Sequence, residues 1–300
     1  MKKILFYNIF VLLVLFSYSC SNNNHDADAY GVFEAVEITV SAESNGKLLF
    51  LDIEEGVTYQ AGTVVGCIDT LQLSLQIKQL ESSIKAALAR RPDMPSQIRT
   101  LQDKLETLEK EKNRVANLVE ANAATTKQLD DIHAEINITK SQIIATKSTL
   151  SIQSQSILEE VEAMHFQQLQ LEDALAKCKI KIPITGTIIN KYIQSNELAF
   201  QGKPLFKIAD LNNMFIKVYV SEDMLSSVKL GGKVEIRVDT KDNTPKTFEG
   251  NVSWISPRAE FTPKMIQTKD ERVNLVYAVK VNFKNDGSAK IGMPGDVVFK

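Results

Sequence analysis

Thiol groups are the most reactive chemistry in this sequence of 300 residues, which contains three cysteines. Cys67 and Cys178 lie just before and just after a long helical region, so both come to its base if that region folds back on itself. A disulfide between them is then possible in an oxidising compartment. The alternative, which the sequence favours, is that both are small buried apolar side chains, because a disulfide requires close α-carbons and compatible side-chain directions.

The third cysteine, Cys20, follows a basic start and a short apolar run over residues 4–16. This combination is typical of a secretory signal, and the run is too short to span a bilayer. A cysteine directly after small residues, here Ser17 and Ser19, further predicts cleavage before Cys20 and lipid attachment to its sulfur, because a free exposed thiol in an exported protein needs a reason. We therefore expect residues 1–19 to be a lipoprotein signal peptide and residues 20–34 to be the anchor and tether. An ordinary signal peptide with an incidental cysteine is the alternative.

The remaining side chains give no catalytic arrangement. No histidine has a cysteine or carboxylate at metal-ligand spacing, which applies to His25, His133 and His165. The sequence has neither a phosphate-binding loop nor a nucleophile elbow. Acids alternate with lysines in DKLETLEKEK, as on solvated helix faces, and the formal net charge of -2 comes without a basic stripe. We therefore expect a protein that is not an enzyme, uses no metal or cofactor, and does not bind nucleic acid.

The elements that would position these side chains begin with an internal repeat. Two segments of short strands and turns match each other at Gly46 with Gly186, Gly56 with Asn196, Gly62 with Gly202, and Ile68 with Ile208. Each half alone would bury little apolar surface, so we predict that residues 35–70 and 179–211 pair into one small β-sandwich. Its halves resemble biotinyl-lipoyl carrier domains, but no lysine occupies the turn that such carriers modify.

The inserted segment, residues 71–178, has the spacing of a coiled coil. In its first arm, seam residues recur at alternating steps of three and four from Ile77 to Val119, which favours a left-handed supercoil. Pro92 and Pro95 interrupt this arm without shifting the register. We therefore predict a kink or a brief break within one arm rather than a domain boundary.

Capping signals predict where the chain turns back to form an antiparallel hairpin. Asn122 fits a left-handed cap for the first arm, and Thr125 with Gln128 fits a capping box that begins the second. The second arm resumes the spacing but places Gln153 and several threonines in its seam, with an extra residue at Ile157 that should unwind the supercoil locally. This arm either packs weakly against the first or finds further contacts with other copies of the protein.

From residue 212 the pattern alternates at strand period, in FIKVYV, KVEIRV, NVSWI and LVYAVKVNF. We expect residues 212–300 to form a β-barrel with an interior lined by Val234, Ile236, Val238, Leu275, Tyr277, Val279 and Val281. The whole chain is then an elongated α+β fold: a split lipoyl-like sandwich, a long antiparallel coiled-coil hairpin inserted in it, and a β-barrel after it.

This organisation resembles the HlyD-like membrane-fusion proteins, also called periplasmic adaptors. The resemblance covers residues 35–299, and EAVEITVSAESNGKL, IPITGTI, GKPLFKIADL and the terminal GMPGDV carry it most specifically. The segment EFTPKMIQTKDERVNLVYAVKV adds a long loop over residues 260–272 that is similar to adaptors paired with ABC-type exporters. The resemblance therefore implies an adaptor subunit of a tripartite export system.

The resemblance also implies a docking site at the hairpin turn. Channel-docking adaptors carry an Arg there, a Leu four residues on and a Ser seven residues after that, and Arg114, Leu118 and Thr125 hold these places, with Thr replacing Ser. Leu118 would fill a shallow apolar groove between channel helices, and Arg114 would offer several donors to carboxylates or carbonyls. Thr125 would keep the turn small while capping it.

The partners implied by the resemblance are an inner-membrane ABC-type permease, a TolC-like outer-membrane channel, and further copies of the chain in a hexameric ring. The expected location is the periplasm of a Gram-negative bacterium, with a lipid anchor in the inner membrane. Two alternatives stay open at this point. One is an envelope-spanning structural or lipid-transfer adaptor without an outer-membrane channel, and the other is an adaptor of a proton-driven efflux pump.

Overall fold

The computed structural model describes residues 27–238, 246–261 and 275–300. The predicted signal peptide and Cys20 lie outside these residues. The chain forms the expected α+β fold, in which a long helical hairpin interrupts a β-sandwich and a β-barrel follows.

The hairpin contains the helices α1 (Leu71–Ala89), α2 (Met94–Glu120) and α3 (Thr126–Lys177). The sandwich strands are β2 (Glu37–Ser41), β3 (Gly46–Leu51), β4 (Thr58–Tyr59), β5 (Val64–Ile68), β6 (Lys179–Lys181), β7 (Gly186–Lys191), β8 (Leu198–Ala199) and β9 (Pro204–Ala209). The barrel contains β1 (Ala29–Glu34), β10 (Asn213–Ser221), the short helix α4 (Glu222–Leu225), β11 (Lys233–Val238), β12 (Lys246–Ile255), β13 (Glu260–Phe261), β14 (Leu275–Lys284) and β15 (Pro294–Phe299).

The two halves of the repeat interleave in the sandwich. One sheet has the order β2-β9-β7-β4 and the other β6-β5-β3-β8, so each sheet takes strands from before and after the hairpin. The sheets bury a shared apolar core that includes Leu48, Phe206 and Ile208. Gly56 and Asn196 both have positive φ, at 85° and 74°, as expected for matched turns of a repeat.

The first arm of the hairpin breaks at residues 90–93, between α1 and α2, as the prolines predict. Asp93 caps α2, because its carboxylate accepts a hydrogen bond from the Ser96 amide at 3.4 Å. Ile84 before the break and Ile98 after it are both buried. The seam, meaning the residues of each arm that face the other arm, therefore keeps its register across the break.

The second arm differs from the prediction at one seam position. Gln153 is exposed and Ser154 is buried, so the seam steps from Leu150 to Ser154 and then to Ile157. Ser154 meets the break in the first arm, where Arg91 Nε donates to Ser154 Oγ at 3.3 Å. The small side chain of Ser154 leaves room for the break at residues 90–93, and its hydroxyl accepts the hydrogen bond from Arg91. The two successive steps of four therefore join Thr146, Leu150 and Ser154, one heptad before the predicted place at Ile157.

Thr139 is the most deeply buried polar side chain among the described residues. It has no exposed area, and its hydroxyl oxygen has no hydrogen-bond partner. An unpartnered buried hydroxyl costs about 1–3 kcal/mol. At this position the first arm of the same chain, rather than another copy, covers the polar seam of the second arm.

Six strands close the barrel in the order β10-β1-β15-β11-β12-β14, and the pairing of β14 with β10 completes it. The predicted interior positions Val234, Ile236, Val238, Val279 and Val281 are buried there. Leu275 was expected inside but is half exposed, whereas Val276 is buried. Ala278 and Val279 are consecutive buried residues, so the alternation of inward and outward side chains in β14 is interrupted there. Before this point, the residues that a regular alternation would place inside, including Leu275, face outward.

The predicted tether is too long, because residues 29–34 form the barrel strand β1. This strand pairs with β10 and β15, and Phe33 is fully buried in an edge-to-face contact with Phe283, at 5.3 Å between ring centroids. Gly31 lies so close to β10 that a Cβ would be 2.0 Å from the Lys217 carbonyl oxygen. Tyr30, Val32 and Phe33 favour a strand, but the segment has only six residues and a glycine inside it.

We predict that Thr139→Val raises the free energy of unfolding by about 1 kcal/mol, because valine keeps the shape and removes the unpartnered hydroxyl. Urea unfolding followed by circular dichroism measures this. Ser154→Ala is the contrasting variant and should lower stability, since Arg91 would lose its acceptor. Equal or reduced stability of Thr139→Val would mean that the hydroxyl finds a partner in solution.

Candidate docking site at the hairpin tip

A backbone cap closes the first arm at the tip. Asn122 adopts the left-handed conformation, with a φ of 57°. Its amide donates to the Val119 carbonyl at 3.0 Å, and the Ala123 amide donates to the Leu118 carbonyl at 2.8 Å. These two bonds make a Schellman motif, which satisfies carbonyls that the end of a helix would otherwise leave free. The predicted left-handed cap at Asn122 is thus confirmed.

A capping box opens the second arm directly after this turn. The Thr125 hydroxyl accepts from the Gln128 amide at 3.4 Å, and the Gln128 side-chain oxygen accepts from the Thr125 amide at 3.0 Å. The predicted box is therefore confirmed. Because both helix ends are capped locally, the turn needs no contact from the rest of the chain to hold its shape.

Arg114 and Leu118 lie one helical turn apart on the last part of α2, and so share one face. Leu118 is 40% exposed, which is a large exposure for a leucine beside a coiled-coil seam. The Arg114 guanidinium lies 2.6 Å from the Glu111 carboxylate, and this pairing raises the pKa of Arg114 above its usual value. The tip therefore presents a permanent cation and an apolar side chain side by side, with Thr125 across the turn.

The sequence reasoning missed Glu111, although its spacing of three residues from Arg114 is a known helix pairing. It also missed the ion pairs between the arms: Arg90 with Glu160 at 2.7 Å beside the break and, nearer the tip, Lys104 with Glu135 at 2.5 Å and Lys140 with Glu109 at 3.4 Å. Such pairs can be predicted only when the register between the two arms is known, and that register depends on the exact position of the turn. The two pairs nearer the tip join the arms in the tip half of the hairpin, but both are exposed and add little to its stability.

The two cysteines at the base are both free thiols. Cys178 is fully buried, and its sulfur lies 3.3 Å from the Ser44 hydroxyl. Cys67 is partly exposed, and burial, followed by the nearby Cys178, raises the pKa of its thiol. The structure therefore has no disulfide at this place, and Cys178 matches the alternative of a small buried apolar side chain.

No group of histidine, cysteine and carboxylate side chains in the described part of the chain could hold a metal ion. Within the same residues, every helix is too short or too polar to cross a membrane. The hairpin tip is thus the candidate site with the most specific arrangement. It lies about 78 Å from the sandwich, because α3 has 52 residues and a helix rises about 1.5 Å per residue.

Several solved structures share this architecture, and two illustrate the similarity. MacA from Actinobacillus actinomycetemcomitans superposes with a TM-score of 0.55 and 20% identity, covering 91% of this chain and 77% of that one. The membrane fusion protein Spr0693 from Streptococcus pneumoniae superposes with a TM-score of 0.51 and 15% identity, covering 90% and 97%. The chain has the membrane-fusion-protein fold.

Curated relatives match along nearly the whole chain. A protein of Yersinia pestis described as a UPF0194 membrane protein is 24% identical over 328 aligned positions, which cover 99% of this chain and 98% of the relative. A UPF0194 membrane protein of Acidithiobacillus ferridurans is 26% identical over 286 positions, covering 88% and 84%. No family model matches the chain. The similarity therefore extends over sandwich, hairpin and barrel together in this membrane-fusion-protein fold.

We predict that Thr125→Ala loosens the tip by about 1 kcal/mol, because the first amides of α3 lose their side-chain acceptor. Hydrogen exchange of the Gln128 amide should become about five times faster, whereas Thr125→Ser should leave it unchanged. Equal protection in Thr125→Ala would mean that the turn is held by contacts other than the capping box.

Proposed function

We propose that this chain is the periplasmic adaptor of a tripartite export system, and that it links an inner-membrane ABC-type transporter to a TolC-like outer-membrane channel. The observation that carries the proposal is the exposed pair Arg114 and Leu118 at the end of a rod of about 78 Å with a capped turn. A membrane-fusion-protein fold supports the same role. The adaptor supplies a conduit and mechanical coupling, and the transporter supplies the energy, so the chain itself needs no catalytic group.

Docking at the tip follows from the chemistry of its two exposed side chains. Leu118 gains free energy when a shallow apolar groove between channel helices removes it from water. Arg114 exchanges Glu111 for a carboxylate or carbonyl of the channel. This exchange is easy because the Arg114–Glu111 pair is exposed and solvent-screened. The capped turn presents both groups without an ordering cost at the moment of docking.

Self-assembly is supported by a second stripe along α3, on the side away from the first arm. Ile138, Ala145 and Ile152 follow each other at seven-residue intervals and are exposed, with Ser141 and Ser148 between them. A helix with heptad spacing on two faces has room for two partner helices. Small residues in such a stripe allow close approach of the backbones. We assign the stripe to the neighbouring copy in a ring.

The proposals for the transporter type and for the membrane anchor rest on the sequence. The loop over residues 260–272 resembles that of adaptors paired with ABC-type exporters, and its residues 262–272 lie outside the described part. Cys20 is the proposed lipid anchor, and the periplasmic side of the inner membrane is the proposed location of the chain. The curated relatives are themselves described as membrane proteins.

Leu118→Asp should abolish export while leaving the amount of adaptor unchanged, because a charge cannot enter an apolar groove without a partner. Leu88→Asp is the matched control, since Leu88 is 39% exposed on the same arm but far from the tip. Export of a reporter substrate and crosslinking to the channel are the measurements. Normal export in Leu118→Asp, or equal loss in both variants, would contradict tip docking.

Ile152→Asp should weaken self-association at least tenfold, because it places a charge in the proposed contact between copies. Ile144→Asp is the control: both isoleucines are 69% exposed, but Ile144 lies beside the stripe rather than in it. Sedimentation and crosslinking in cells measure the assembly. Unchanged assembly in Ile152→Asp would assign the ring contact to another surface.

A further inference from the structure

One end of the barrel collects exposed apolar side chains at the starts of alternate strands. Strands β1, β11 and β14 run in the same direction, because each is antiparallel to both of its neighbours. Strand β1 ends at Glu34, shortly before the sandwich strand β2 begins, so the end of β1 is next to the sandwich. All three strands therefore begin at the opposite end of the barrel, away from the sandwich. We call the side chains there the apolar rim: Tyr30, Leu230, Phe261 and Leu275.

Three of the four rim side chains are among the most exposed large apolar residues described, and Leu275 is half exposed. Leu230 is 71% exposed at the turn before β11, and Tyr30 is 69% exposed at the second residue of β1. Phe261 is 77% exposed and pairs in β13 with Leu275, the first residue of β14. Since β1, β11 and β14 alternate with other strands around the barrel, the apolar groups surround its end rather than forming one patch.

A band of aromatic and lysine side chains lies behind the rim on the outer wall. Nearest the rim, Lys217 lies 5.3 Å from the ring of Tyr219, which pairs with Tyr30. Farther along the wall toward the sandwich, Lys280 lies over the rings of Phe215 and Trp254, at 4.7 and 5.5 Å from their centroids. Trp and Tyr with apolar bodies and polar tips favour the boundary between membrane and water. Lysines that bury their stems beside such rings keep their charges in water.

Charges at this end have both signs. Lys229 and Lys233 are exposed near the rim, and so are Glu222 and Asp223 of α4. Glu260 lies 3.7 Å from Lys217. Because neither sign dominates, attraction to an anionic surface is a small part of any contact made here. Burial of the apolar groups would have to drive it.

The chain that precedes the barrel leads to the proposed lipid anchor. Only eight residues separate Cys20 from Ala29, and they span at most about 30 Å when fully extended. Strand β1 begins at the rim, so an acylated Cys20 would hold the rim close to the bilayer. This step rests on the proposed function, which assigns the anchor.

We propose that the apolar rim inserts into the headgroup region of the membrane that holds the anchor, so that the barrel stands on the lipid surface. A flat bilayer can contact apolar side chains that are separated from each other around the end of the barrel. A protein groove would instead require them to be contiguous. The rim adds a second attachment to the lipid chains, and so fixes the direction in which the hairpin projects.

The test is binding to phosphatidylcholine vesicles by the chain from residue 21 onward, which keeps every described residue and lacks the acylated cysteine. Cosedimentation should detect binding, and Leu230→Ser with Phe261→Ser should weaken it at least tenfold. The matched control is Leu198→Ser with Phe200→Ser, two side chains that are 68% and 56% exposed on the sandwich. Phosphatidylglycerol and salt should change the affinity little.

Trp254 gives an independent readout, because it is the one tryptophan in the sequence. Energy transfer from Trp254 to a dansyl-labelled lipid acts over the roughly 13 Å between Trp254 and the rim. It should appear in the unaltered chain and in the sandwich control, but not in the rim variant. Absent vesicle binding, or equal loss in both pairs of variants, would overturn the proposal. If the rim variant abolished export without any vesicle binding, the rim would belong to a protein partner. The Leu118→Asp result tests the adaptor role separately.

Discussion

The pairing of β5 with β6 is the constraint on which the rest of the structure depends. These strands enter and leave the helical hairpin, and the Ile68 amide donates to the Cys178 carbonyl at 2.9 Å. Because the strands are adjacent, the two arms start side by side and must run antiparallel. Their common end is then as far from the sandwich as the helices are long. The interleaved core of the sandwich holds this pairing, since neither half of the repeat has a core of its own.

Apolar contacts, rather than charges, set the alignment of the arms. Ile84, Ala87 and Val161 form a buried cluster near the base, and buried seam residues continue toward the tip. The ion pairs between the arms are exposed and contribute little each. The break at residues 90–93 leaves the alignment intact because the second arm is one continuous helix that bridges it. A small seam residue, Ser154, accommodates the change in geometry there.

Local signals predicted the hairpin almost completely, because residues close together in the sequence determine its seam, its break and both caps. The failures came where a distant strand decides the outcome. Strand β1 contains strand-forming residues, but its partners β10 and β15 are far away in the sequence, so its place in the barrel could not be predicted from local signals. Leu275 faces outward because the alternation of β14 breaks near Val279, beside a register shift in β12. At the tip, the resemblance supplied the proposed docking residues, whereas the Arg114–Glu111 pair was recognised only in the structure.

Isolated exposed apolar residues are normal on protein surfaces, so exposure alone marks no site. Arrangement is the better criterion in this chain. Leu118 lies at a capped turn, the stripe through Ile152 repeats at heptad spacing, and the rim residues occupy the starts of alternate barrel strands. These three sets lie at the far end, along the side and at the near end of one elongated molecule. A rod that exposes apolar groups at both ends and along one side is suited to bridging two surfaces beside copies of itself, and a compact self-contained domain would have no use for that distribution.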